Sequence, residues 1–206
     1  MISVSNTLTK VRRVYCVGRN YAEHRAEMGG SERDEPFFFQ KPHDSVIQSS
    51  HVSYPTGTRE FSYEAELVVL MGDQLNIKGY TVGVDFTKRD LQREAKKNAK
   101  PWEIGKSFDN SALVGQFSSQ IKKDDTLKFF QNGILRQSAP LSDMIWSVDK
   151  LILKLIEQDF SVKAGDLIFT GTPAGVGNLV LGDSCMVQLV DQDGNSSVPD
   201  LKFTVK

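Results

Sequence analysis

Residues 62–72, Ser-Tyr-Glu-Ala-Glu-Leu-Val-Val-Leu-Met-Gly, organise the reading of the rest of the chain. The apolar, β-branched run from Leu67 to Met71 predicts a strand over residues 64–71. Side chains alternate faces along a strand, so Ala65, Leu67, Val69 and Met71 form one wholly apolar face. Glu64 and Glu66 fall on the other face, roughly 7 Å apart, in company with Val68 and Leu70. Two carboxylates on a face that also carries core residues repel each other, and burial raises their pKa values. A hard divalent cation bound through oxygen resolves that conflict. So does an arrangement in which both glutamates face solvent and Val68 and Leu70 lie at the strand end.

Outward from this strand the chain reads as many short β segments and few helices. Strands are predicted over residues 14–17, 37–40, 80–86, 126–131, 134–137, 167–170, 185–190 and 201–205. Asn132-Gly133 lies between two of them and marks a hairpin, because both residues tolerate positive φ. A second turn is expected at Asp193-Gly194. Val148, Leu151, Ile152, Leu155 and Ile156 recur at i, i+3, i+4, i+7 and i+8, one apolar face of a helix. Residues 21–28 and 89–97 are further helical stretches. The pattern predicts a mostly antiparallel α+β fold rather than a doubly wound sheet.

The chain has 206 residues, 39% of them apolar and 25% charged, which suits a globular protein with a core of its own. Lys plus Arg number 25 and Asp plus Glu 26, a net charge of −1 that excludes a broadly basic nucleic-acid binder. No apolar window reaches the length of a membrane span, and the polar start lacks a signal peptide's apolar stretch, so a cytoplasmic protein without a membrane partner is expected. Cys16 and Cys185 stand alone in apolar runs, and neither a disulfide framework nor a zinc ribbon fits such spacing. Both are expected to be buried.

Asp85 interrupts the strand-like run YTVGVDF with a lone charge. It suits either a third oxygen ligand or a cap on the following helix. Lys106, between PWEIG and SFD, is either a surface residue or an ammonium that stabilises an oxyanion. His24 and Glu27 lie three apart in a helical stretch, where the carboxylate can orient the imidazole as a base, or both can be exposed. The run Gly171-Thr172-Pro173-Ala174-Gly175-Val176-Gly177 follows a strand and matches no phosphate loop. Its glycines either let backbone N–H groups approach an anion or serve a tight connection.

In chain order, VGRNYAEH, FFFQKP, YEAEL, GYTVGVDFTKRDLQ, PWEIGKSFD, FFQNGILRQ, SDMIW and LIFTGTPAGVG resemble the fumarylacetoacetate hydrolase family, in its short single-domain acylpyruvate hydrolase branch. The likeness runs from about Val14 to Val190. It implies one catalytic domain over residues 1–206, a mainly β, sandwich-like roll, and a homodimer. It implies Mg2+ or Mn2+ held by Glu64, Glu66 and Asp85, with Lys106 beside the metal. His24 and Glu27 would activate water on a short lid helix, and Arg19, Gln92 and Thr172 would touch the substrate's carboxylate or oxo groups. The implied reaction is hydrolysis of a C–C bond in a 2,4-dioxo acid, an acylpyruvate such as fumarylpyruvate or acetylpyruvate. Oxaloacetate decarboxylation, 2-oxo acid tautomerisation and hydroxymuconate-type isomerisation are alternatives that share an enolate. One departure concerns the stretch between Gly72 and Gly79, shorter than the family's usual one, on which the register of the Asp85 strand depends.

Overall fold

In the computed structural model, which describes residues 1–4, 7–22 and 35–206, the organising segment forms two strands, Phe61–Tyr63 and Ala65–Met71. The break falls at Glu64, where the chain passes from one sheet into another. Phe61–Tyr63 pairs with Thr87–Lys88 and Gly177–Asn178 in a three-stranded sheet. Ala65–Met71 lies at the centre of a seven-stranded sheet, and all seven of its residues are buried. Expectation placed Glu64 inside one continuous strand; the structure makes it the corner residue instead.

The order across the large sheet is Phe37–Lys41, Val14–Gly18, Leu167–Phe169, Ala65–Met71, Ile77–Asp85, Ala112–Val114 and Val46–Ile47. A five-stranded sheet packs against it, built from Ile134–Pro140, Thr126–Gln131, Ser184–Val190, Leu201–Val205 and His51–Val52. Ala65, Leu67, Val82, Val84 and Leu113 from one sheet meet Leu127, Phe129, Val187, Leu189 and Phe203 from the other in a common core. This is the sandwich-like roll expected for an α+β chain. The pairing is mixed rather than mostly antiparallel in one respect. Leu167–Phe169 runs parallel to Val14–Gly18, Ala112–Val114 to Val46–Ile47, and Leu201–Val205 to His51–Val52. Each parallel pair joins segments far apart in sequence, which local patterning does not reveal.

The alternation read from residues 64–71 holds in space. Ala65 and Leu67 face the second sheet, and Val69 and Met71 face helix α2 below. Val68 and Leu70 belong to a separate core with Val14, Cys16, Leu167 and Phe169 on the opposite face. Helix α1 spans Arg89–Lys97 and α2 spans Val148–Glu157. Leu151, Ile152 and Leu155 of α2 are buried, whereas Ile156 is 40% exposed and lies outside the helix's buried stripe. Asn132 and Gly133 take φ values of 53° and 77°, the doubly positive turn that Asn-Gly favours. Cys16 and Cys185 are both buried, and burial pushes both thiols up, Cys185 to about 12. No helix among the described residues is long and apolar enough to cross a membrane.

The short stretch after Gly72 closes tightly. Gln74 and Leu75 take left-handed φ values of 54° and 62°, Gly72 N donates to Asn76 O at 2.7 Å, and Met71 already pairs with Ile77. Ala65 then stands opposite Val84 and Glu66 opposite Gly83, while Asp85 N donates to Glu64 O at 2.8 Å. The brevity of the connection therefore leaves Asp85 beside the two glutamates.

Gly83 is needed at its place in this register. A Cβ there would come within 2.7 Å of both Leu113 O and Val68 Cγ2. Neither the ladder carbonyl nor the packed valine can retreat freely. Gly83→Val is expected to destabilise the protein by about 1–3 kcal/mol, as overpacking does, measured as a lower urea midpoint at unchanged slope. An unchanged midpoint would show that this strand can shift without cost.

Candidate metal centre

Three elements bring three carboxylates to one point. Glu64 stands at the corner between sheets, Glu66 lies two residues further along the central strand, and Asp85 ends the neighbouring strand. Each offers an oxygen within 4.8 Å of the others', and all three residues are buried, at 7%, 2% and 1% exposure. Asp85 therefore belongs to the cluster and does not cap α1. The carboxylate that meets the start of α1 is Asp90, which accepts from Arg59 N and Leu91 N.

Three cations surround this cluster. Lys106 Nζ lies 2.6 Å from Glu64 Oε2 and 2.8 Å from Asp85 Oδ2, and the residue is only 3% exposed. The surface reading of Lys106 is thus set aside. Arg89 Nη2 donates to Glu64 Oε1 at 2.6 Å. Lys41 Nζ is fully buried 2.8 Å from Asp85 Oδ1, and it donates to the carbonyls of Phe86 and Lys106. Burial alone would lower the Lys106 pKa; Asp85 and Glu64 outweigh it, and the net shift is upward.

Glu66 is the least compensated of the three. Its Oε2 accepts one hydrogen bond, 2.6 Å from Gly171 N. Burial, then the charges of Asp85 and Glu64, push its carboxyl well above the usual range. A group in that state binds either a proton or another cation. The donor set is all carboxylate oxygen, which suits a hard dication such as Mg2+ or Mn2+ and not a thiolate- or imidazole-seeking one. The residues present fit such an ion.

The glycine-rich run after the strand Leu167–Phe169 does bring a backbone N–H to an anion, but the anion is the chain's own Glu66. Gly171 has a φ of +97°, and a Cβ there would stand 2.7 Å from Asn20 Cβ. Asn20 is fully buried and holds this corner by donating to Thr170 O and Trp146 O. The residue before it, Arg19, is left-handed at φ 60°, a conformation that non-glycine residues adopt at some cost.

A cleft of about 470 Å³ opens above the carboxylates, lined by Arg19, Glu64, Glu66, Gln92, Lys106 and Thr172 among others. The structure thus brings together the expected substrate-contact residues Arg19, Gln92 and Thr172 with Lys106 and two of the acidic residues. Two of them are fixed as donors. Thr172 Oγ1 accepts from Gln137 Nε2 at 2.8 Å, which leaves its hydroxyl hydrogen for another acceptor. Gln92 Oε1 accepts from Arg89 Nη1 at 3.1 Å, which leaves its NH2 for the cleft. His24 and Glu27 lie outside the described residues.

Three residues at this site escaped the sequence reading. Lys41 ends the run FFFQK and reads as a solvated strand end. Arg89 reads as the polar start of a surface helix. Gln137 sits in a hairpin arm, yet it is 1% exposed and bridges Ala65 N, Thr172 Oγ1 and Pro173 O. A lysine directly before proline at the end of an apolar strand was the one available signal for Lys41.

The sequence matches the family model for the fumarylacetoacetate (FAA) hydrolase C-terminal domain over residues 13–205. It is 37% identical over 202 residues to the oxaloacetate tautomerase YcgM of Escherichia coli, covering 90% of each chain. It is 36% identical over 210 residues to the mitochondrial oxaloacetate tautomerase FAHD1 of Bos taurus, covering 95% of this chain and 92% of that one. Among solved structures it is similar to fumarylpyruvate hydrolase from Pseudomonas aeruginosa in complex with Mn2+ and pyruvate. There the TM-score is 0.89 at 36% identity, over 98% of this chain and 94% of that one.

Removing Lys41 leaves Asp85 with one of its two buried cations. Lys41→Met is expected to cost on the order of 3–5 kcal/mol of stability, the range for breaking a buried pair from one side, read by chemical denaturation without added metal. A loss below about 1 kcal/mol would mean that Lys106 alone suffices to balance Asp85.

Proposed function

Because this chain belongs to the fumarylacetoacetate hydrolase family, we propose that it is a divalent-metal-dependent enzyme of 2-oxo dicarboxylates that interconverts the enol and keto forms of an oxaloacetate-type substrate. One observation carries the reading: a buried Glu64–Glu66–Asp85 cluster lies under a cleft whose remaining polar groups are donors and cations. The three carboxylates are already balanced by Lys41, Lys106 and Arg89. A dication therefore adds two positive charges, and a dicarboxylate is the ligand that neutralises them.

When bound, Mg2+ or Mn2+ supplies Lewis-acid chelation of a 2-oxo acid, which acidifies its C3 hydrogens. Glu64, Glu66 and Asp85 would hold the ion. Lys106 lines the cleft as a buried ammonium whose pKa stands above its ordinary value, so it meets developing oxyanion charge in its protonated form. Lys41 is equally cationic but does not line the cleft, and its part is to fix Asp85 and the Lys106 backbone. The hydroxyl of Thr172 and the amide of Gln92 present donors to the substrate's carboxylate. The support for tautomerisation is that relatives of matching length, at 36–37% identity, carry that name.

The second reading is hydrolysis of a 2,4-dioxo acid, favoured by the likeness to fumarylpyruvate hydrolase. It uses the same carboxylates and Lys106, and adds His24 and Glu27 as the pair that activates water. The two readings separate on one residue. His24→Ala is expected to abolish cleavage of acetylpyruvate, if cleavage occurs at all, and to spare metal binding.

The test follows the decay of oxaloacetate enol absorbance with Mn2+, in the wild type and in Lys106→Met. The wild type is expected to accelerate ketonisation, and Lys106→Met to lose about 100- to 1000-fold in turnover, the usual effect of removing one oxyanion donor. Acetylpyruvate cleavage far outpacing enol decay would move the assignment to hydrolase. No metal-dependent turnover of either compound would overturn both.

A further inference from the structure

The innermost part of the cleft accounts for a 2-oxo acid's first carboxylate and oxo group. It leaves open what meets the other end of the substrate. Four cations line the cleft: Arg19, Arg89, Lys96 and Lys106. Arg89 is engaged with Glu64, and Lys106 with Glu64 and Asp85. Lys96 forms no ion pair among the described residues, and it occupies the last turn of α1. Its Nζ lies 5.4 Å from the centre of the Trp102 ring. That ring is itself fixed edge-on against Phe37 and Phe39, with centroids 6.3 and 5.3 Å away.

The surroundings of Lys96 make it a poor place for a bare ammonium. Burial, then the neighbouring charges of Arg19, Arg89 and Lys106, lower its pKa. A cation held among cations beside an aromatic wall gains most from an anion that arrives with the ligand. Because the triad is buried while Lys96 stands at the solvent side of the same cleft, an elongated ligand spans the two.

We infer that Lys96, seated over Trp102, receives the second carboxylate of the substrate and makes this a site for 2-oxo dicarboxylates in preference to 2-oxo acids with an uncharged tail. The inference rests on the 2-oxo-acid reading above and adds to it the residue that selects the diacid. Lys96 touches no metal ligand and takes no part in the proton transfers, so it acts on substrate binding.

Titration calorimetry of the Mn2+-loaded protein with pyruvate and with oxaloacetate separates the two ends. The wild type is expected to bind oxaloacetate about 10- to 100-fold more tightly than pyruvate, the range of a charge-assisted hydrogen bond. Lys96→Gln should bring that ratio close to one while leaving the pyruvate Kd within about twofold, and Lys96→Arg should restore most of the preference. In enol–keto kinetics, the Lys96→Gln loss should fall on KM rather than kcat. Equal weakening of both ligands would reduce Lys96 to a general attractor of anions and overturn the inference, as would no change in either. A wild type that shows the preference but does not interconvert the two forms of oxaloacetate would sink the tautomerase reading and leave the role of Lys96 standing. A wild type that binds neither ligand would sink both.

Discussion

Three carboxylates within 4.8 Å of one another, in a part of the molecule closed to bulk water, are the constraint on which the rest of this structure turns. Such a cluster cannot stay ionised without nearby positive charge, because desolvation and mutual repulsion act in the same direction. The chain answers with Lys41, Lys106 and Arg89, drawn from three different segments. The edge strand Phe37–Lys41, the loop after Trp102–Gly105 and the start of α1 are thereby tied to the centre of the large sheet. Lys106 bridges two of the three carboxylates, so it holds the place where a dication's charge is wanted. A bound dication and this ammonium then compete for the same oxygens, which couples metal binding to the position of the lysine.

The backbone around the cluster is shaped by the need for close approach. Gly83 opposite Glu66 leaves room that any Cβ would fill, and Gly171 brings its N–H to Glu66 only by taking a φ that L side chains avoid. Asn20 and Gln137, both buried, pin the two loops that flank the cleft to their neighbours. These contacts preorganise the donors Thr172 and Gln92. They give the cleft its polarity before any ligand arrives, the arrangement that electrostatic stabilisation of an oxyanion requires.

Much of this was legible in residues 62–72 and 80–86. Strand alternation alone set Glu64 and Glu66 on one face and Ala65, Leu67, Val69 and Met71 on the other, and the lone charge of Asp85 marked the third carboxylate. The roles of Lys106, Arg19, Gln92 and Thr172 came from the family resemblance rather than from local pattern. What stayed hidden depends on contacts distant in sequence. Lys41 meets Asp85 across 44 positions, and Gln137 meets Ala65 across 72, so neither partner stands in the other's window. The three parallel pairings are of the same kind. Ile156 fell outside its helix's buried stripe because periodicity fixes a face but not how wide a strip of it the sheet covers.

The central claim is that register, not any one residue, builds a binding place for a single hard dication. Diffraction from Mn2+-soaked crystals at the manganese absorption edge tests it most directly. The account predicts one anomalous peak at about 2.1 Å from oxygens of Glu64, Glu66 and Asp85, with Lys106 Nζ moved away from its place between Glu64 and Asp85. No peak at the cluster, or a peak bound elsewhere while Lys106 keeps both ion pairs, would contradict it and make the cluster a purely internal network of charges.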